Sequence, residues 1–230
     1  DDILLSGRRG KCIRFPVIDV RVFKSRDSVG VRGIRLVGDD ELIAMSIVRH
    51  AEFDSDTRDR YLRWSNARRR AEGEGESSAD PLPSAPEQAD EMAAAEQFVL
   101  SITENGYGKR TSAYEYRVTG RGGQGIINIE ASDRNGPVVA SAPVEEDHHI
   151  MLVTDTGRLI RTPVHDIRIA GRNTQGVTLF DVEPNERVVS VAWLSEQNDG
   201  EDADDDGDDG ETGDAPNVAP SDSPGNTDDE

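Results

Sequence analysis

Arginines recur beside glycines at fixed offsets along this chain. Arg14, Arg110 and Arg161 each stand four residues after a glycine, namely Gly10, Gly106 and Gly157. Arg26, Arg121 and Arg172 each stand four residues before one, namely Gly30, Gly125 and Gly176. A third set closes an acidic–apolar–Arg triplet: Asp19-Val20-Arg21, Glu115-Tyr116-Arg117 and Asp166-Ile167-Arg168. A planar guanidinium forks well onto phosphate oxygens. Contacts to a phosphate chain depend on spacing and carry no base information. The turn glycines let backbone approach such a chain closely. The pattern predicts nucleic-acid contacts from Lys11, Arg14, Arg26, Lys109, Arg110, Arg121, Arg161 and Arg172, with Gly10, Gly30, Gly106, Gly125, Gly157 and Gly176 as structural turns. For Arg21, Arg117 and Arg168 the adjacent acid favours a pairing inside the unit over a contact outside it.

Other chemistries fit less well. Gly120-Arg121-Gly122-Gly123-Gln124-Gly125 is formally G-x-G-x-x-G, but the following Ile-Ile-Asn-Ile-Glu reads as strand. A dinucleotide site needs a helix N-terminus there for the pyrophosphate. Asp147-His148-His149 has no further Cys, His or Asp set at ligand spacing, so it reads as a turn and not a metal site. No Ser-His-Asp, Cys-His or paired-carboxylate arrangement has an assignable role, and no catalytic residue is predicted.

The elements that position these residues repeat three times. Units starting at Ile3, Phe98 and Ile150 share a strand-like apolar run, a turn glycine and the arginine offsets. Repeats of about fifty residues are the signature of stacked supersecondary units. The runs ILLS, FVLS and IMLVT, the Asn-Gly and Thr-Gly turns, and the closing runs at 41–48, 137–144 and 187–194 predict about four strands per unit. The expected fold is all-β and propeller-like, with blades at 1–48, 98–145 and 146–194. Between the first two lies an insertion, 49–97. It is predicted to hold helices at 56–72 and 87–97 around a flexible linker at 73–86. Tyr61 and Trp64 there serve either to anchor a partner helix or to pack on the body.

The net charge of −20 belongs to the appendages. Residues 195–230 carry 15 acidic and no basic residues, and 49–97 carry 12 acidic and 7 basic, which leaves the repeat units neutral at 19 of each sign. The tail reads as disordered and as a competitor for the basic rim. No stretch approaches a membrane span or a signal peptide. The single Cys12 excludes an internal disulfide and fits a reducing cytoplasm. The abrupt opening on Asp1 and a strand reads as a piece of a longer chain.

The strings TENGYGKRTSAYEYRVTGRGGQGIIN (103–128), MLVTDTGRLIRTPVHDIRIAGRNTQGV (151–177) and RDSVGVRGIRL (26–36) resemble the C-terminal domain of the bacterial DNA gyrase A protein, part of a type IIA topoisomerase. The resemblance implies a β-pinwheel that wraps double-stranded DNA and supports ATP-dependent negative supercoiling by the whole enzyme. It implies a heterotetramer with the gyrase B protein in a bacterial, nucleoid-associated setting. It also implies that no cofactor is used in this segment, Mg2+ and ATP acting elsewhere in the holoenzyme. Two departures stand out. The family's box, similar to QRRGGKG, has only the degenerate Thr119–Gly125 here, and no tyrosine sits in the catalytic context. The alternatives are the corresponding A-type protein of topoisomerase IV and a propeller-like protein-interaction scaffold.

Overall fold

The computed structural model describes residues 1–73 and 82–195. Each repeat opens on an antiparallel hairpin. In unit 1, β1 (Asp2–Gly7) turns at Gly10 into β2 (Lys11–Pro16), and β3 (Leu42–Val48) pairs with the other edge of β1. Unit 2 follows the same plan with β4 (Phe98–Thr103), β5 (Tyr107–Ser112), the two-residue β6 (Ile126–Ile127) and β7 (Val138–Val144). Unit 3 has β8 (His149–Thr154), β9 (Leu159–Pro163), β10 (Val177–Thr178) and β11 (Val188–Leu194). After the second strand of each unit comes one turn of 3-10 helix: Val17–Asp19, Ala113–Glu115 and Val164–Asp166. Each triplet's acid therefore ends that turn, and its arginine stands two residues beyond.

The units exchange strands. β6 lies on β2 of unit 1, with Lys11 opposite Ile127 and Cys12 opposite Ile126. β10 lies on β5 of unit 2, with Val177 opposite Gly108. The sheets run β3-β1-β2-β6, β10-β5-β4-β7 and β11-β8-β9. Four strands are thus found in the first two sheets only, and the fourth comes from the next unit. Among the described residues no unit follows β11 to supply β9.

Burial follows from this exchange. Every residue of β1 is buried and five of six in β4, because both faces of these strands are covered. That is why they read as continuous apolar runs. β8 alternates between buried and half-buried, as a strand covered on one face does. The core lies between units. Leu100, Ile102, Ile150, Leu152, Val164 and Ile167 join units 2 and 3, while Leu4, Cys12, Val99, Ala113 and Tyr116 join units 1 and 2. Beside the second cluster the Tyr116 hydroxyl donates to Asn128 Oδ1 at 2.6 Å, and Asn128 Nδ2 donates to Ser101 Oγ at 2.9 Å. These polar groups are buried, and their mutual bonds offset the loss of water.

The insertion contains α1 (Ser55–Gly73) and α2 (Ala89–Ala95). Asp54 caps α1, accepting from the Thr57 backbone N–H at 2.9 Å and its hydroxyl at 2.8 Å. Tyr61 is fully buried, with its ring 5.5 Å from that of Tyr114 in the 3-10 turn of unit 2. The Tyr114 hydroxyl donates to the Met92 carbonyl at 2.9 Å, and Tyr61 donates to Glu96 at 2.8 Å. Tyr61 therefore packs on the body, with Trp64 half-buried beside it at 5.8 Å. No helix among the described residues is long and apolar enough to cross a membrane. The acidic tail from 196 and the linker residues 74–81 lie outside the described residues.

Candidate nucleic-acid interface

The arginines four residues after the turn glycine lie inside the protein in units 1 and 2. Arg14 is 4% exposed. Its Nε donates to Asp2 at 2.8 Å, and its terminal nitrogens donate to the carbonyls of Ala113 and Arg49 at 2.8 and 2.9 Å. Arg110 does the same one unit on, donating to the carbonyls of Ile167 and His165 at 2.7 and 3.0 Å and to Glu146 at 3.0 Å. Each reaches from its own strand to the 3-10 region of the next unit. Lys109 is fully enclosed and donates to the carbonyls of Gly171 and Arg172, both at 2.6 Å. Burial pushes its ammonium down to about 7. Arg14, Lys109 and Arg110 are thus corrected from nucleic-acid contacts to joints between units, since a buried, fully engaged cation offers nothing to a phosphate.

The other predicted residues are open to solvent. Lys11, Arg26, Arg121 and Arg161 are exposed and Arg172 is half-buried. Arg161 occupies the joint position of unit 3, with no following unit among the described residues to cover it. Arg121 donates to the carbonyls of Asp19 and Arg32 at 3.0 and 3.1 Å, and Arg172 to the Ile127 carbonyl at 2.7 Å. Both therefore tie their loop to the preceding unit as well as lying at the surface.

The triplet arginines depart from expectation in the opposite sense. Arg21, Arg117 and Arg168 are all exposed, and none forms an ion pair among the described residues. Two of their neighbouring acids are used elsewhere: Glu115 accepts the Arg172 backbone N–H at 2.9 Å, and Asp166 lies 3.5 Å from His165. Arg21 stacks over Phe23 at 5.3 Å. The pairing within the unit is not formed, and each unit presents one such guanidinium at the same offset.

All six predicted turn glycines have positive φ. At Gly125 the reason is steric as well: a Cβ there would stand 2.1 Å from the Cys12 carbonyl oxygen. The close approach of the β6–β2 exchange thus requires glycine at this point of the loop. Asp147 and His148 form the turn into β8.

One basic feature has no counterpart in the sequence reading. A groove of about 500 Å³ runs between α1 and the edge of units 2 and 3. Arg58 and Arg63 of α1 line it opposite Arg117 and Arg172. The spacing of arginines in α1 is visible in the sequence, but the face that docks is fixed by Tyr61 against Tyr114, a contact distant in sequence.

A family model described as "DNA gyrase C-terminal domain, beta-propeller" matches residues 1–49, 97–145 and 148–192 and skips the insertion. The chain is 48% identical over 208 residues to the DNA gyrase A protein of Granulibacter bethesdensis, covering 83% of this chain and 22% of that protein. It is 46% identical over 202 residues to the DNA gyrase A protein of Rickettsia bellii, covering 86% and 22%. The chain thus spans about a fifth of the length of the curated relatives it matches. A solved DNA gyrase A C-terminal domain aligns with TM-score 0.59 at 21% identity over 84% of this chain and 50% of that one. The C-terminal domain of DNA topoisomerase IV aligns with TM-score 0.60 at 18% identity over 85% and 47%. Both show the same fold.

Proposed function

Because the chain belongs to the DNA gyrase C-terminal domain family, we propose that it binds and wraps duplex DNA as part of a gyrase A protein. The observation that carries this is the row of exposed arginines, Arg21, Arg117 and Arg168, one per unit at one offset and free of carboxylate partners among the described residues. Repeated cations on successive units suit a phosphate backbone that passes from unit to unit. Lys11, Arg26, Arg121, Arg161 and the accessible part of Arg172 add to the same electrostatic surface. Bending 20–30 base pairs costs on the order of 1–6 kcal/mol, which such contacts offset. In this reading the segment performs no chemistry; strand passage and the use of ATP and Mg2+ fall to other parts of a cytoplasmic holoenzyme that includes the gyrase B protein. Identity to gyrase A proteins favours this over the topoisomerase IV reading, which the fold alone does not separate.

A salt titration of DNA binding tests it. Log K should fall linearly with log salt, by about 0.9 per phosphate neutralised. Replacing Arg21, Arg117 and Arg168 together by Gln should flatten that slope by about 2.7 if each holds one phosphate. DNA binding that ignores salt, or a slope untouched by the triple change, defeats the proposal; the former outcome would favour the scaffold reading.

A further inference from the structure

We propose that the groove between α1 of the insertion and the edge of units 2 and 3 is a phosphodiester-binding site, through which the insertion extends the path of the DNA. The inference rests on the DNA-binding reading and assigns a role to a segment that the family model does not match.

The groove has the chemistry for it. Four guanidinium groups, those of Arg58, Arg63, Arg117 and Arg172, face two carboxylates, those of Asp59 and Glu115. Glu115 is already engaged by the Arg172 backbone N–H. The Arg172 guanidinium is held in place by the Ile127 carbonyl at 2.7 Å and by Glu115 at 4.0 Å, while Arg58, Arg63 and Arg117 form no ion pair among the described residues. At about 500 Å³ the groove is large enough for a backbone phosphate with its sugars and remains open to solvent along its length. One wall holds Arg117, a member of the exposed row, so the row and the groove share a guanidinium.

The walls are also held apart at a fixed distance. Tyr61 and Phe53 close on Tyr114 with ring centroids 5.5 and 5.9 Å apart. The ends of the insertion are pinned as well, since the Arg49 N–H donates to the Gln97 side chain at 2.7 Å. Arginines on a docked helix lose less freedom on binding than the same residues on a free one. The insertion as a whole is acidic, so its basic groove face is a local arrangement and not an average property.

The test uses the full-length protein, joined to its gyrase partner, and a linear duplex. Arg58→Gln with Arg63→Gln should flatten the salt slope by about 1.8, which is about a twelve-fold smaller loss of affinity between 50 and 200 mM salt. Arg63→Gln alone, at an exposed position that leaves packing intact, should give half that change in slope. Arg60→Gln with Arg70→Gln removes equal charge from α1 outside the groove and should leave the slope close to native. Titration with inorganic phosphate at constant ionic strength, read by the arginine Nε–H resonances, separates a small-anion site from a DNA site. The proposal is overturned if the groove variants keep the native slope while the protein binds DNA, or if phosphate alone shifts those resonances and DNA does not. It is also overturned if the off-groove pair matches the groove pair. If instead the unaltered protein shows no salt-dependent binding, the DNA-binding reading itself has failed.

Discussion

Replacing Arg14 by Ala should destabilise the protein strongly and leave its surface for DNA unchanged. Asp2, its partner, has no exposed surface, and the guanidinium holds that carboxylate and two carbonyls at 2.8–2.9 Å. Removing one member of a buried ion pair typically costs about 3–5 kcal/mol, because the other is left charged and unsolvated. Two features place Arg14 at the low end. His50 Nδ1 still reaches Asp2 at 2.9 Å, and the Arg49 carbonyl lies where water can replace the lost donor. At about 3 kcal/mol, and about 2–4 °C per kcal/mol for a chain of this size, Tm should fall by roughly 6–12 °C. Arg161→Ala, the same offset in unit 3, removes an exposed side chain and should move Tm by less than about 2 °C. The assay is thermal unfolding of both variants beside the salt slope of DNA binding measured well below Tm. The reasoning is refuted if Arg14→Ala melts like the native protein but binds DNA more weakly, for then Arg14 works at the surface and not at the joint.

Two further outcomes follow from the joints and the turns. Gly106→Ala places a Cβ 2.2 Å from the Phe180 carbonyl oxygen at a φ of +77°, whereas Gly157→Ala, at +86°, meets nothing within 4 Å. The first should cost about 2–5 kcal/mol, summing left-handed strain and overpacking, and the second only about 1–2 kcal/mol, as read from urea midpoints. Glu186 is buried and accepts from the Thr156 hydroxyl, the Glu183 backbone N–H, the Thr154 hydroxyl and Arg158, which bring its carboxyl down to about 2. A depressed carboxyl stabilises the fold above its unfolded value of about 4.3 and loses that contribution as pH falls toward 2. Glu186→Gln should flatten the fall of Tm between pH 4.5 and 2; an unchanged profile would assign the acid sensitivity to other groups.

The repeat was legible because its landmarks are backbone requirements. Gly10, Gly106 and Gly157 turn hairpins, and the runs Ile3–Leu5 and Phe98–Leu100 are apolar at successive positions because both faces are covered. The two-residue strands β6 and β10 were not legible, since their pairing partners belong to another unit. The roles of the arginines were hidden for a related reason. Arg14 and Arg21 look alike as members of a recurring offset, yet one lies inside and the other outside. A signal was present: Cys12, Ile13 and Phe15 are apolar on both parities of β2, so a residue within that strand has no solvent face. Arg21 follows the 3-10 turn, where the chain leaves the sheet.

Charge in this protein therefore has to be counted by position. Arg14, Arg110 and Lys109 belong to a neutral repeat body, but their charge is taken up by carbonyls and carboxylates within it. Meanwhile Asp2 and Glu186 are buried carboxylates with partners of their own, and Glu115 is engaged by a backbone N–H. Engaged groups of both signs count for less in the field that a polyanion meets, and the exposed groups, among them Arg21, Arg117 and Arg168, count for more. The same holds for the insertion, where an acidic segment turns Arg58 and Arg63 toward that row. In the proposed reading, a repeat whose recurring offsets serve the joints carries its interface on the residues just past them. Those residues keep register with one another because the joints keep the units in register.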